Sequence, residues 1–202
     1  MEPITDVGID LDGVLYPFVT AFRQYCIRNL GYTRQTTPEP THWNFYEDWG
    51  MDKEVFYEHI QIGARDHKLF TEFPPEPTCH HAFDGLHAMG IRIHILTHRP
   101  SVAEHDTINW LTRHNLLPYS IHFVKDKTIL KDMAFGKAAM VDDCIDNYEA
   151  AKKAGILAVL HSRPWNLSHP DALRVQTMRG FLELVQLHND PRSLESELAP
   201  TR

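Results

Sequence analysis

Five short runs of apolar residues constrain the fold of this chain more than any other feature of its sequence. They are rich in Ile, Val and Leu and nearly uninterrupted, which is typical of strands buried on both faces of a parallel sheet. Helical patterns separate most of these runs, so we predict an α/β fold with a doubly wound parallel sheet. The predicted strands are Val7–Leu11, Ile91–Leu96, Ile121–Val124, Ala138–Val141 and Ile156–Leu160.

The segments after several of these strands place apolar residues at helical spacing. Gly90 and Gly155 stand where two of the helices would end, and glycine is common at that position. The predicted helices are Cys79–Met89, Val102–His114 and Asp146–Ala154.

A long segment between the first strand and Cys79 breaks this alternation. It reads as two amphipathic helices, Phe18–Leu30 and Lys53–Ile62, with a proline-stiffened connector at the end. We therefore expect a small helical insertion in an α/β core, followed by a polar tail. The expected parts are a core of residues 1–16 and 78–190, an insertion of residues 17–77, and a tail of residues 191–202.

Two pairs of carboxylates follow predicted strands. Asp10 and Asp12 come after the first strand, beside Gly13, and Asp142 and Asp143 come after the fourth. Ligands of open α/β sheets bind at the carboxyl edge of the strands, and carboxylates gathered there need a cation such as Mg²⁺. The plainer interpretations are a solvated acidic turn for the first pair and a helix N-cap for the second.

Two further features would suit a phosphate. Thr97 closes the second strand, and its hydroxyl and the backbone N–H groups after it can bind phosphate oxygens. A lysine between the third and fourth strands could supply a fixed cation, although at least two of the candidates must be ordinary surface charges. The candidates are Lys125, Lys127, Lys131 and Lys137.

Composition argues against several other classes of protein. The net charge of −7 disfavours binding to a nucleic-acid polymer. The three cysteines are widely spaced, and the sequence shows neither a signal peptide nor a membrane span, so we expect a cytoplasmic protein. The fourteen histidines lack the spacings of zinc sites, and we interpret His80, His81 and His94 as surface or core residues.

Taken in order, these motifs resemble those of the haloacid dehalogenase superfamily. The shared pattern is DxDG, then a hydroxyl residue after a strand, then a lysine, then an acidic pair, with an insertion at the C1 cap position. Within the superfamily the chain is similar to the 5′(3′)-deoxyribonucleotidase family, although the distance from Lys127 to Asp142 is longer than in that family. The local matches are Asp10–Phe18, Val124–Thr128 and Arg163–Asn166, which contains a Pro-Trp-Asn element.

The resemblance implies a metal-dependent, covalent mechanism. Asp10 would attack the phosphorus, and Asp12 would protonate the leaving sugar oxygen and later take a proton from water. Mg²⁺ would lie between Asp10, the backbone carbonyl of Asp12, and Asp143. Asp142 would lie close to the metal or cap the next helix.

The resemblance also implies how the substrate is held. Thr97, His98 and Lys127 would bind the phosphoryl oxygens. The helical insertion is rich in aromatic residues, and Phe18, Trp43 and Phe45 would stack on a base, whereas most of the other aromatics would pack the insertion's own core.

Three functions remain open at this stage. A magnesium-dependent phosphatase of (deoxy)nucleoside 5′-monophosphates fits best. The alternatives are a phosphatase of a sugar phosphate or another small phosphomonoester, and a non-catalytic binding protein, which has no chemical need for the intact acidic residues. Members of the family are often homodimers, but the sequence identifies no surface for such a contact.

Overall fold

The computed structural model describes residues 2–190, which form a six-stranded parallel sheet flanked by helices. The strand order is β3-β2-β1-β4-β5-β6, and every neighbouring pair is parallel. This confirms the predicted α/β fold, whereas the expected polar tail lies outside the described residues. The strands are β1 (Ile4–Ile9), β2 (Arg92–Thr97), β3 (Ser120–Phe123), β4 (Lys137–Asp142), β5 (Leu157–His161) and β6 (Arg174–Val175).

All five predicted strands are present, but each of their ends shifts by one to three residues. The prediction for the first strand was wrong at both ends, because β1 begins at Ile4 and stops at Ile9. The chain turns just after β1, where the carbonyl of Leu11 accepts hydrogen bonds from the N–H groups of Leu15 and Tyr16 at 2.8 and 2.7 Å. A sixth strand, β6, was missed because two residues are too short to show a period.

The predicted helices are also present, with three additions. The sequence analysis missed two one-turn helices and the long last helix, which begins after Thr177, whose side chain accepts the N–H of Gly180. That N-cap was a readable signal ahead of an apolar pattern. The helices are α1 (Phe18–Asn29), α2 (Phe45–Asp48), α3 (Lys53–Asp66), α4 (Cys79–Ala88), α5 (Glu104–Arg113), α6 (Leu130–Met133), α7 (Ile145–Lys153) and α8 (Met178–Asn189). Within residues 2–190, no helix has both the length and the apolar character that a bilayer crossing requires.

Two apolar clusters cover the two faces of the sheet. Alternate residues of β4 enter different clusters, with Val141 in one and Met140 in the other, as the two-residue period of a strand requires. The larger cluster also takes in Phe22 and Phe56 from α1 and α3. The helices of residues 17–77, which contain no strand, therefore share an apolar core with the sheet.

The order of the strands determines where a ligand can bind. The chain runs from β1 outward through β2 to β3 and then returns to place β4 on the other side of β1. Ligands of doubly wound sheets bind beyond the carboxyl ends of the strands at such a reversal. Both acidic pairs lie there, and the backbone N–H of Asp10 bonds to the carbonyl of Val141 at 3.1 Å.

Candidate active site

A cavity of about 520 Å³ opens beyond the carboxyl ends of β1, β2 and β4. One side is formed by polar residues of the sheet edge and the other by aromatic residues of the helical insertion. The polar side includes Asp10, Asp12, His98, Arg99, Lys127, Asp142 and Asp143. The aromatic side includes Phe18, Trp43, Phe45, Phe56, Tyr57 and Phe70.

Three carboxylates converge at the bottom of this cavity. Asp10, Asp142 and Asp143 are all buried, and one oxygen from each lies within 4.8 Å of the others. Burial raises the pKa of Asp10 to about 7, with Lys127 opposing the shift and the neighbouring acids adding to it. Burial and the charges of Asp10 and Asp142 likewise raise the pKa of Asp143 well above its ordinary value. The cluster therefore carries a strong electrostatic preference for a bound cation.

Lys127 is the lysine that joins this cluster. Its Nζ donates to Asp10 Oδ1 at 2.6 Å and to Asp142 Oδ2 at 2.7 Å. Burial acts to lower the pKa of Lys127, but the two carboxylates outweigh it and raise that pKa. Lys131 and Lys137 line a different pocket.

The local fold explains how Lys127 reaches the acids. It begins a 3₁₀ turn, Lys127–Ile129, which three residues separate from the end of β3, and Asp126 caps that turn by accepting the N–H of Thr128 at 2.9 Å. The turn directs the lysine toward the ends of β1 and β4 rather than along the surface.

The two acids after β4 have different surroundings. Both oxygens of Asp142 are engaged, since Oδ1 accepts the N–H of Cys144 at 2.9 Å and Oδ2 accepts Lys127. Neither acid is the N-cap residue of α7, a position that Cys144 holds. Asp143 Oδ2 accepts Trp165 Nε1 at 3.2 Å, whereas Asp143 Oδ1 is buried with no hydrogen-bond partner in residues 2–190. An unpartnered buried carboxylate oxygen fits a direct ligand of a metal ion.

The Pro-Trp-Asn element braces this acidic loop. Besides the bond from Trp165, the fully buried Asn166 donates to the backbone carbonyl of Asp143 at 2.9 Å and to that of His161 at 2.8 Å. Arg163 donates to the carbonyl of Gly13 at 2.6 Å. The element therefore connects the loops after β1 and β4, a role that the sequence did not reveal.

Gly13 is required by the close approach of these two loops. Its φ is +84°, in the left-handed region that favours glycine. A Cβ at this position would lie 1.9 Å from Asp143 Oδ2, far inside van der Waals contact. The glycine of the DxDG motif thus leaves room for the carboxylate of Asp143.

Of the two phosphate-binding candidates after β2, His98 lines the cavity and Thr97 does not. His98 reaches the cavity, and its Nε2 is 3.1 Å from the carbonyl of Lys125. Thr97 is fully buried, lies outside the cavity lining, and accepts the backbone N–H of Arg99 at 3.1 Å. The side chain of Thr97 therefore shapes the turn after β2.

Asp12 has a partner that the sequence analysis did not identify. Two nitrogens of Arg99 donate to its carboxylate, Nε to Oδ2 at 3.0 Å and Nη2 to Oδ1 at 2.8 Å. The two residues are 87 positions apart, and no motif spacing connects them. Only the pairing of β1 with β2 brings the loops that carry them together.

The aromatic candidates all reach the cavity, with different exposures. Phe18 is half-buried and stacks between Phe22 and Phe70, with ring centroids at 5.8 and 5.9 Å. Phe45 is mostly buried, and Trp43 is 51% exposed. Other insertion aromatics, such as the fully buried Phe22, pack the core as expected.

The fold is that of solved hydrolases of the haloacid dehalogenase superfamily. A HAD-superfamily hydrolase from Geobacter sulfurreducens matches with a TM-score of 0.59 at 20% identity, covering 90% of this chain and 96% of its own. One from Ehrlichia chaffeensis matches with a TM-score of 0.57 at 14% identity, covering 94% and 100%.

Sequence comparison narrows the class to one family. The family described as "5' nucleotidase, deoxy (Pyrimidine), cytosolic type C protein" matches residues 2–188, and the chain belongs to it. A Chlorobaculum tepidum protein assigned as a 5′(3′)-deoxyribonucleotidase is 25% identical over 187 residues, which is 89% of each chain. The predicted resemblance to the deoxyribonucleotidase family is therefore confirmed, and the chain is a hydrolase of the 5′-nucleotidase type.

Proposed function

We propose that this protein is a Mg²⁺-dependent phosphomonoesterase that hydrolyses (deoxy)nucleoside 5′-monophosphates. The observation that carries the proposal is a single cavity with a carboxylate cluster on one side and aromatic rings on the other. The cluster suits a phosphate bound with a metal ion, and the rings suit a planar base. The assignment of the Chlorobaculum tepidum relative supports the same substrate class.

The carboxylate cluster fits the expected magnesium ion. Asp10 and Asp143 would hold it, together with the backbone carbonyl of Asp12, while Asp142 is already committed to Lys127 and the start of α7. Of the two adjacent acids, Asp143 would be the direct ligand of the metal, and its unpartnered Oδ1 supports this assignment. When bound, Mg²⁺ would neutralise the cluster and polarise the phosphoryl group.

Asp10 would act as the nucleophile. Its contact with Lys127 fixes the orientation of the carboxylate and places a positive charge where phosphoryl oxygens would bind. Attack of a carboxylate oxygen on phosphorus forms an aspartyl-phosphate as the bond to the leaving sugar oxygen breaks. Asp12 would give its proton to that oxygen and later take one from the water that hydrolyses the intermediate.

The helical insertion, residues 17–77, would act as a cap that selects the substrate. Phe18 and Phe45 line the cavity, and Trp43 stands exposed beside them. Stacking on such rings contributes about 1–3 kcal/mol per base. His98 and Lys127 would hold the phosphoryl oxygens, while the buried Thr97 would hold the turn that carries His98.

A substrate panel tests this function directly. Phosphate release would be measured for nucleoside 5′- and 3′-monophosphates, sugar phosphates and an aryl phosphate, each with Mg²⁺ and with excess EDTA. We expect turnover of nucleoside 5′-monophosphates, dependent on Mg²⁺ and absent in Asp10→Asn, which also controls for a contaminating phosphatase. Undiminished turnover in EDTA would remove the metal from the mechanism. A clear preference for sugar phosphates would show that the proposed substrate class is wrong and that the protein is a sugar phosphatase.

A further inference from the structure

Arg99 is a buried cation in contact with an acid of the site but without a role in the chemistry described above. Its side chain is 0% exposed, whereas that of Asp12 is 23% exposed. Two of its nitrogens donate to the carboxylate of Asp12 at 3.0 and 2.8 Å. Such a two-point contact fixes both the position and the rotation of a carboxylate.

The guanidinium of Arg99 is itself held from other directions. Its Nη1 donates to the fully buried hydroxyl of Thr107 at 3.1 Å. Its Cζ lies 4.3 Å from the ring centroid of Phe70 and 4.9 Å from that of Tyr16. Because Tyr16 donates its hydroxyl to the carbonyl of Leu69 at 2.6 Å, the rings around Arg99 are anchored too.

We propose that Arg99 is a positioning residue that holds the carboxyl group of Asp12 in place for proton transfer to the leaving oxygen. This inference rests on the proposed function. As the bond from phosphorus to the sugar oxygen breaks and the bond from Asp10 to phosphorus forms, the proton of Asp12 moves to that oxygen. Arg99 donates to both oxygens of Asp12, so the carboxyl group stays in contact with the guanidinium before and after the transfer. The guanidinium stabilises the carboxylate that proton transfer leaves behind.

This geometry also connects the acid with the aromatic wall. Phe70 packs against Arg99 on one side and stacks on Phe18 on the other, with the two ring centroids 5.9 Å apart. Asp12, Arg99, Phe70 and Phe18 thus form a continuous chain of contacts. The side chain that gives up the proton and the ring proposed to bind the base are supported by the same packed group.

The test compares two leaving groups in the full-length protein with Mg²⁺. A nucleoside alkoxide needs a proton from the enzyme, whereas an aryl oxide needs little help. We expect Arg99→Met to lower kcat for a nucleoside monophosphate by on the order of 10²-fold, as for other small displacements of a reacting group. The same variant should lower kcat for an aryl phosphate only a few-fold, with KM little changed. Arg99→Lys, which keeps the charge but loses the two-point contact, should recover part of the rate.

A double-mutant comparison separates positioning from structural support. If Arg99 acts through Asp12, Arg99→Met should cost almost nothing further in the Asp12→Asn background. Equal losses on both substrates, or additive losses in the double variant, would overturn the inference. Circular dichroism would check folding, and if Arg99→Met does not fold, Thr107→Val replaces it with the same pattern expected at smaller size.

The two proposals fail in different ways. If the wild-type protein hydrolyses no nucleotide, both the proposed function and this inference are refuted. If the wild-type protein hydrolyses nucleotides and the Arg99→Met variant keeps the same rate, only the role given to Arg99 is refuted.

Discussion

Replacing Lys127 by methionine removes the cation at the centre of the acidic cluster while keeping a side chain of similar length. Lys127 is 3% exposed and bonds Asp10 at 2.6 Å and Asp142 at 2.7 Å. The variant would leave both carboxylates buried without their partner. Because each contact is short and shielded from water, solvent cannot compensate for the loss.

The magnitude follows from that burial. Removing one partner of a buried ion pair typically costs about 3–5 kcal/mol of stability. The lower end applies here, because Asp10 has a raised pKa and can take up a proton when the lysine is absent. The effect on catalysis should be separate from this loss. A fixed charge beside a reacting phosphoryl group is worth about 10²–10³ in rate, so kcat/KM should fall by at least about two orders of magnitude.

Urea denaturation without Mg²⁺ would measure the stability, and phosphate release at saturating Mg²⁺ would measure the rate. Lys131→Met is the matched control, since Lys131 is exposed and lines another pocket. We expect this control to stay close to wild type in both assays. The reasoning would be refuted if Lys127→Met kept a near-normal kcat/KM, or if Lys131→Met or Lys137→Met proved the sensitive variant.

Three other changes test separate parts of the site and fold. Gly13→Ala should raise the Mg²⁺ concentration needed for half-maximal activity, because the new Cβ would meet Asp143 Oδ2 at 1.9 Å; an unchanged Mg²⁺ titration would contradict this. Phe18→Ala should raise KM for nucleotides and spare a small aryl phosphate, since stacking acts on bound substrate and transition state alike; equal effects on both substrates would mean that Phe18 only packs the cap. Burial lowers the pKa of His161 to about 3, below the value near 6.5 in the unfolded chain. As pH falls from about 6.5 toward 3, only the unfolded state takes up this proton, so the free energy of unfolding falls by up to about 1.4 kcal/mol per pH unit. Urea denaturation of His161→Leu at several pH values should show a shallower loss, and an identical slope would argue against that role.

The parallel sheet could be predicted because a doubly buried strand leaves a strong trace in sequence. Val7 and Ile9 on β1, and Val141 on β4, are all 0% exposed. A strand that is buried in this way on both faces consists mostly of apolar residues. The strand ends were less predictable. Leu11 continues the apolar pattern but belongs to the turn, where it is buried by packing rather than by the sheet.

The acidic half of the site was predictable because adjacent parallel strands bring their carboxyl ends together. The choice of Lys127 depended on the resemblance of Val124–Thr128 to the family's lysine segment, because spacing alone could not locate the extra residues before Asp142. The structure places a 3₁₀ turn, Lys127–Ile129, and the short helix α6 in that interval. The additional length is therefore taken up after Lys127, which leaves that residue beside the cluster.

Residues whose partners are distant in sequence escaped prediction. Arg99 has no role in any recognised motif, and its contact with Asp12 arises only when β2 pairs with β1. The same holds for Trp165, whose matched element suggested family membership but not its bond to Asp143. Such contacts depend on three-dimensional packing, which a single sequence does not encode in any local period.

The balance of charge explains how an acidic protein can receive a phosphate. The site gathers four carboxylates, and the cations in contact with them are Lys127 and Arg99. Arg99 bonds to Asp12, and Lys127 bridges Asp10 and Asp142, so Asp143 has no ion pair of its own in residues 2–190. Burial, together with the charges of Asp10 and Asp142, raises the pKa of Asp143. A divalent ion bound between Asp10 and Asp143 would supply the positive charge that balances the carboxylate of Asp143. Under the proposed function, this ion would be needed both to keep Asp10 ionised and to bind an anionic substrate, so we expect EDTA to abolish turnover rather than merely slow it.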